Sequence, residues 1–263
     1  MTDPADGLWK HVAGVAPSAL RILGAVALTL ATDAALAYRP FDSTDAAVVD
    51  AGEFELELGP LGWIREGPEK FRVAPAVVAN FGFSGDRELV LQGQRQIALQ
   101  EVPGEQRTEI VDTGLFVKQM LREGVLQEKP GPSVATEYGL LLPTVNGEPG
   151  TGFSVAGIAS QRSDAGTIHL NSAFSWTRSH EPDLFLGVIL EGPYSWAVRP
   201  VAEVFGDKTS GSPRTEAILV GAIWQAGRDL SFDFGIREAR LGGEAVHEIR
   251  AGLTWSFSSK KEP

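Results

Sequence analysis

Residues 53–58 read Glu53-Phe54-Glu55-Leu56-Glu57-Leu58, an acid and an apolar side chain in unbroken alternation. Successive side chains of an extended chain point to opposite faces, so this stretch has one ionic face and one greasy face. A helix does not fit it, because apolar positions on a helix recur every three to four residues. Such a strand belongs either to a sheet with one wet side or to a barrel whose outside is lipid. The rest of the chain decides between them. Leu230, Phe232, Phe234 and Ile236 oppose Ser231, Asp233, Gly235 and Arg237, and Ile249, Ala251, Leu253, Trp255 and Phe257 oppose Glu248, Arg250, Gly252, Thr254 and Ser256. Twelve runs of this kind lie at 52–59, 70–83, 87–101, 110–122, 131–143, 151–161, 166–178, 183–191, 195–206, 214–226, 229–238 and 246–257. Most reach the ~9–11 residues that a tilted membrane strand needs, against ~5–6 in soluble sheets. The pattern predicts an all-β fold: a transmembrane antiparallel up-and-down barrel of about twelve strands.

Composition agrees. The chain has 263 residues, 43% of them hydrophobic and 22% charged, a formal net charge of −11 and no cysteine. It is too apolar for a disordered chain and too acidic for a phosphate-backbone binder, so no nucleic-acid partner is expected. The lack of cysteine removes disulfide frameworks, iron–sulfur clusters and thiol catalysis. Mean hydropathy is −0.03, which is where apolar-out, polar-in strands average.

Arg21 precedes an apolar run, Ile22 to Ala31, and Ala35-Leu36-Ala37 supplies a small-x-small site. That is the grammar of a secretory signal peptide, and the run is too short to span a bilayer. The expected organisation is a signal peptide at 1–37, a periplasmic segment at 38–51, the barrel at 52–257 and a tail at 258–263. Short turns at 84–87, 163–166, 192–195 and 226–229 follow even-numbered runs, whereas longer links at 59–69, 206–213 and 238–245 follow odd-numbered ones. Links 123–130 and 179–182 depart from that rule. Short periplasmic turns with longer external loops characterise outer-membrane barrels. Tyr194, Trp196, Trp224, Trp255 and Phe257 then gather at the periplasmic rim, with Trp63 and Trp176 at the outer one, as interfacial aromatic girdles do.

The last run carries Gly252, Trp255 and Phe257, which resembles the signal that barrel-assembly machinery recognises; that machinery and outer-membrane lipid are the expected partners. Tyr38-Arg39-Pro40-Phe41-Asp42-Ser43-Thr44-Asp45-Ala46, Val48-Val49-Asp50-Ala51-Gly52-Glu53-Phe54-Glu55-Leu56-Glu57, Gly114-Leu115-Phe116-Val117-Lys118, Gly131-Pro132-Ser133 and Leu141-Leu142-Pro143-Thr144 together resemble the meta-pathway phenol-degradation transporter family. The resemblance implies an exported outer-membrane barrel that passes small aromatic or apolar solutes.

With the apolar faces in lipid, Arg72, Lys118, Glu137, Arg199, Glu203, Asp233, Arg237, Glu248 and Arg250 are expected to line a narrow polar lumen and set its selectivity. Charges there need partners, which cross-strand neighbours supply better than residues four apart on one strand. Arg39 and Asp42 are expected at the periplasmic mouth, where they help to gate it. Arg95 and Gln119 fall on apolar faces, which a bulge or snorkelling would have to explain.

No enzyme is expected. Nucleophilic chemistry needs a serine, a histidine and a third orienting group. Apart from His11, which precedes Ala37, the histidines are His169, His180 and His247, and there is no Gly-x-Ser-x-Gly elbow. No close histidine pair offers a metal site, and no cofactor is implied. The alternatives are a soluble periplasmic lipocalin-like binding protein and a membrane-embedded lipid hydrolase using His169 with a nearby serine.

Overall fold

The computed structural model describes residues 39–100 and 107–258. The expected signal peptide and the last five residues lie outside that range. Twelve strands follow in order: β1 (Glu53–Glu66), β2 (Glu69–Ser84), β3 (Arg87–Ala98), β4 (Thr108–Arg122), β5 (Ser133–Leu141), β6 (Gly152–Ser163), β7 (Gly166–Trp176), β8 (Pro182–Glu191), β9 (Val198–Thr209), β10 (Thr215–Gln225), β11 (Leu230–Leu241) and β12 (Glu244–Ser258). Each pairs antiparallel with its neighbours in sequence, and β1 closes on β12 through pairs such as Phe54 with Phe257 and Leu58 with Leu253. Closure leaves no free strand edge, which is what allows a sheet to cross lipid. Every predicted run is a strand. We call the end where β1 begins and β12 finishes the near rim, and the opposite end the far rim.

The apolar face looks out. Along β8, Leu184, Leu186, Val188 and Leu190 are exposed while Asp183, Phe185, Gly187 and Ile189 are buried; Leu190 is 52% exposed beside Ile189 at 0%. The same holds for Leu170, Phe174, Val204, Ile218, Val220, Phe234 and Ile249. So wide an apolar wall suits acyl chains and would be a liability in water. A lipocalin-like protein would turn these side chains the other way.

The structure corrects the sequence reading in three places. First, the inner wall is not uniformly ionic: Phe185, Ile189, Val201, Phe205, Leu219 and Ile223 also point inward and are buried. Second, Arg72 does not line the lumen. It is exposed on the outer wall, and Phe71 and Val73 are buried inside. The cause is a parity break. Between Leu58 and Leu61 β1 carries one extra residue relative to β12, and between Val73 and Ala76 β2 carries one relative to β3. Pro60 and Pro75 sit in these bulges, where a residue with no N–H costs the ladder nothing. Third, β1 continues to Glu66 and β11 to Leu241, so two of the longer links shrink to tight turns at Gly67-Pro68 and Gly242-Gly243. Gly67, Gly242 and Gly243 all have positive φ there, as such turns require.

Arg95 is exposed on the outer wall opposite Ile110, and Gln119 faces outward at the near rim between Arg87 and Thr136.

Candidate functional site

The lumen contains its own chain. Residues 39–50, which precede β1, run inside the barrel and make a circuit of the wall, drawing a partner from every strand. Arg39 begins it. Its backbone N–H donates to Glu57 Oε2 at 3.1 Å, and its guanidinium donates to both Asp233 oxygens at 3.2 Å each. Two glycines make the slot, since a Cβ on Gly59 of β1 or Gly252 of β12 would overlap that guanidinium. Phe41 packs in one buried cluster with Ile189, Val201, Leu219 and Ile223, which explains the aliphatic stretch of inner wall. Arg39 and Asp42 therefore lie within the barrel, deeper than the mouth where the sequence placed them.

An irregular segment inside a barrel must find partners for its amides, because an unpaired buried N–H is costly. Here the wall side chains supply them. Glu203 accepts from the amides of both Asp42 and Ser43 at 2.8 Å, Asn171 Oδ1 from Thr44 at 3.1 Å, Ser160 Oγ from Ala46 at 3.0 Å and Glu88 Oε2 from Val49 at 2.5 Å. Asn171 also returns a bond from Nδ2 to the Thr44 carbonyl at 2.8 Å, pairing with the backbone as a strand would. A Cβ on Gly187 would overlap Ser43 Oγ, and one on Gly82 would overlap the Val49 and Asp50 carbonyls.

Two ionic clusters clamp this path. In the first, the Asp42 carboxylate sits between Arg237 Nη1 and Arg250 Nη2, each at 3.1 Å, and both guanidiniums also meet Glu248, at 2.7 and 3.0 Å. Arg237 and Glu248 are directly opposed across β11 and β12. Burial alone would raise the Asp42 pKa, but Arg237 and Arg250 prevail and hold it below its ordinary value of 3.8. In the second, Lys118 Nζ meets Asp45 at 3.2 Å, Glu88 at 3.7 Å and Thr44 Oγ1 at 3.3 Å, with Glu137 facing it across β4 and β5. Glu137 Oε1 is buried with no hydrogen-bond partner.

Arg199 joins neither clamp. Its Nε donates to Glu191 Oε2 at 3.3 Å, and Glu191 Oε1 meets His169 Nε2 at 3.0 Å. His169 Nδ1 in turn lies 2.7 Å from Ser160 Oγ. Ser160 Oγ also accepts the Ala46 amide. This is a serine, histidine and carboxylate chain of the kind the hydrolase alternative requires, but residues 39–50 cover its hydroxyl. Among the described residues no group of histidine and carboxylate side chains is placed to hold a metal ion.

Sequence reading missed Arg178, which lies in the link after β7. It is buried, and its Nε and Nη2 donate to the Leu142 and Thr113 carbonyls at 2.7 and 2.8 Å, tying the far-rim links together. A lone arginine in a link gives no periodic signal. Gly252 proves to be a wall residue of the Arg39 slot, while Trp255 and Phe257 pack tilted against each other on the outside with ring centroids 4.1 Å apart.

No family model matches this chain, and no curated protein matches it. Solved structures do. The COG4313 outer membrane channel from Pseudomonas putida F1 superimposes with a TM-score of 0.53 at 10% identity, over 80% of this chain and 96% of that one. The KdgM porin gives 0.50 at 8% identity, over 77% and 99%. At such identities the likeness establishes the fold alone: a closed antiparallel barrel like theirs.

Proposed function

We propose that this chain is an outer-membrane channel for passive passage of small solutes, with the near rim toward the periplasm and with residues 39–50 governing passage. The observation that carries the reading is the occupied lumen. Of the polar side chains expected to meet solute, Lys118, Glu203, Asp233, Arg237 and Arg250 instead bond the chain's own segment. A fully hydrophilic pore gains nothing from such a filling, whereas a selective conduit does. Apolar or aromatic solutes fit best, since Phe116, Phe185 and Phe205 face inward and Phe185 and Phe205 lie 5.3 Å apart. The family resemblance of residues 38–57 and 114–144 supports the same class. Neither cofactor nor energy source is needed for passage down a gradient.

Two measurements test this. Outer-membrane fractions should yield a band that shifts on boiling in SDS; extraction in plain buffer would overturn the location. In planar bilayers the intact protein should conduct weakly, and deletion of residues 39–50 should raise conductance severalfold. Equal conductance with and without the segment would remove it from any gating role.

A further inference from the structure

The outer wall carries a group of cations that the channel reading does not use. Arg65, Lys70, Arg72 and Arg95 are all exposed, and register places them together on the far half of β1, β2 and β3. Arg65 directly opposes Lys70, and Arg72, the next outward position on β2, opposes Trp63. Arg72 also opposes Ile97, which sets Arg95 on the diagonal across β2 and β3, within reach of long side chains. The bulge at Pro75 is what turns Arg72 outward, so the group depends on that parity break.

Arg65 Nε donates to the Gly67 carbonyl at 3.3 Å, and among the described residues no carboxylate pairs with any of the four. The outward positions of the same half-strands are Leu61, Trp63, Ile97, Thr108 and Ile110, with no acid among them. Farther round the outer wall, past β12, the carboxylate of Glu238 on β11 is bonded to His247. Cations on a lipid-facing wall are expensive unless an anion meets them. Trp63, beside Arg72, fixes the level, because tryptophan settles at the headgroup layer. Arginine forks match phosphate bidentately, and lysine adds a point charge.

We propose that this cluster binds the phosphates of lipid A, the bisphosphorylated glycolipid of the outer leaflet. The assignment rests on the orientation proposed above, in which the far rim is outermost. The test is native mass spectrometry of the full folded chain released from detergent micelles, with bisphosphoryl lipid A, phosphatidylglycerol or inorganic pyrophosphate added separately. Wild type should retain one lipid A, and the Arg72→Gln, Arg95→Gln double variant should retain it at least about tenfold more weakly. Arg87→Gln, an outward change at the near rim, should leave retention as in wild type. Equal retention by wild type and the double variant overturns the assignment, as does equal retention of phosphatidylglycerol or displacement by pyrophosphate alone. Heat-modifiable migration of each preparation separates the cases: retained migration with no lipid A binding sinks only this inference, whereas its loss in wild type sinks the membrane reading itself.

Discussion

The two clamps on residues 39–50 are built on opposite plans. Beside β9, β11 and β12, Arg39, Arg237 and Arg250 meet Asp42, Asp233 and Glu248, and most of these groups have two partners. Beside β3, β4 and β5, a single ammonium, Lys118, faces Asp45, Glu88 and Glu137. A network with several cations redistributes its bonds when one member is lost. A site with one cation among three carboxylates, two of them buried, has nothing to redistribute, and removing one partner of a buried pair costs more than the pair contributes. Redundancy holds one end of the segment, and a single cation serves the middle.

The contrast is sharpest in Lys118→Met. About 3–5 kcal/mol of stability should be lost, read as a lower urea midpoint of the detergent-folded barrel, and conductance should rise toward that of the protein lacking residues 39–50. Asp42→Asn should cost less, about 1.5–3 kcal/mol, because Arg237 and Arg250 keep Glu248. An Asp42→Asn penalty larger than that of Lys118→Met would break the comparison. The Asp42 effect also has a signed pH dependence. Its folded-state carboxyl titrates below 3.8, so the contribution is present above that pH and is lost on acidification through the depressed value. The advantage of wild type over Asp42→Asn should thus shrink as the pH falls below about 5 and vanish once it is below the depressed value. Asn171→Ala should have the smallest effect, about 1–2 kcal/mol for two neutral hydrogen bonds to Thr44, with single-channel current only slightly raised. An Asn171→Ala current as large as that of Lys118→Met would show that the amide bonds, not the ions, hold the segment.

Legibility in the sequence followed the same geography. From β6 to β12 alternation runs unbroken, and Arg199, Glu203, Asp233, Arg237, Glu248 and Arg250 face inward where parity puts them. On β1 and β2 the extra residues at Pro60 and Pro75 invert it, which is why Arg72 was assigned to the wrong side. Those prolines were the available signal, since proline inside a long strand already argues for a bulge. In β8 both faces are apolar, so Phe185 and Ile189 could not be told from their outward neighbours. Residues 39–50 have no period at all. Their partners lie far off in the chain, Thr44 and Asn171 being 127 positions apart, and no local pattern encodes such a pairing. The fold was therefore readable almost entirely, while the occupied lumen was not.

The Arg39 slot lies across the seam between the first and last strands, with one wall glycine from each. Until those strands meet, the cradle does not exist. Arg39 is thus unable to take its place before closure, and its seating is a certificate that the cylinder has been completed.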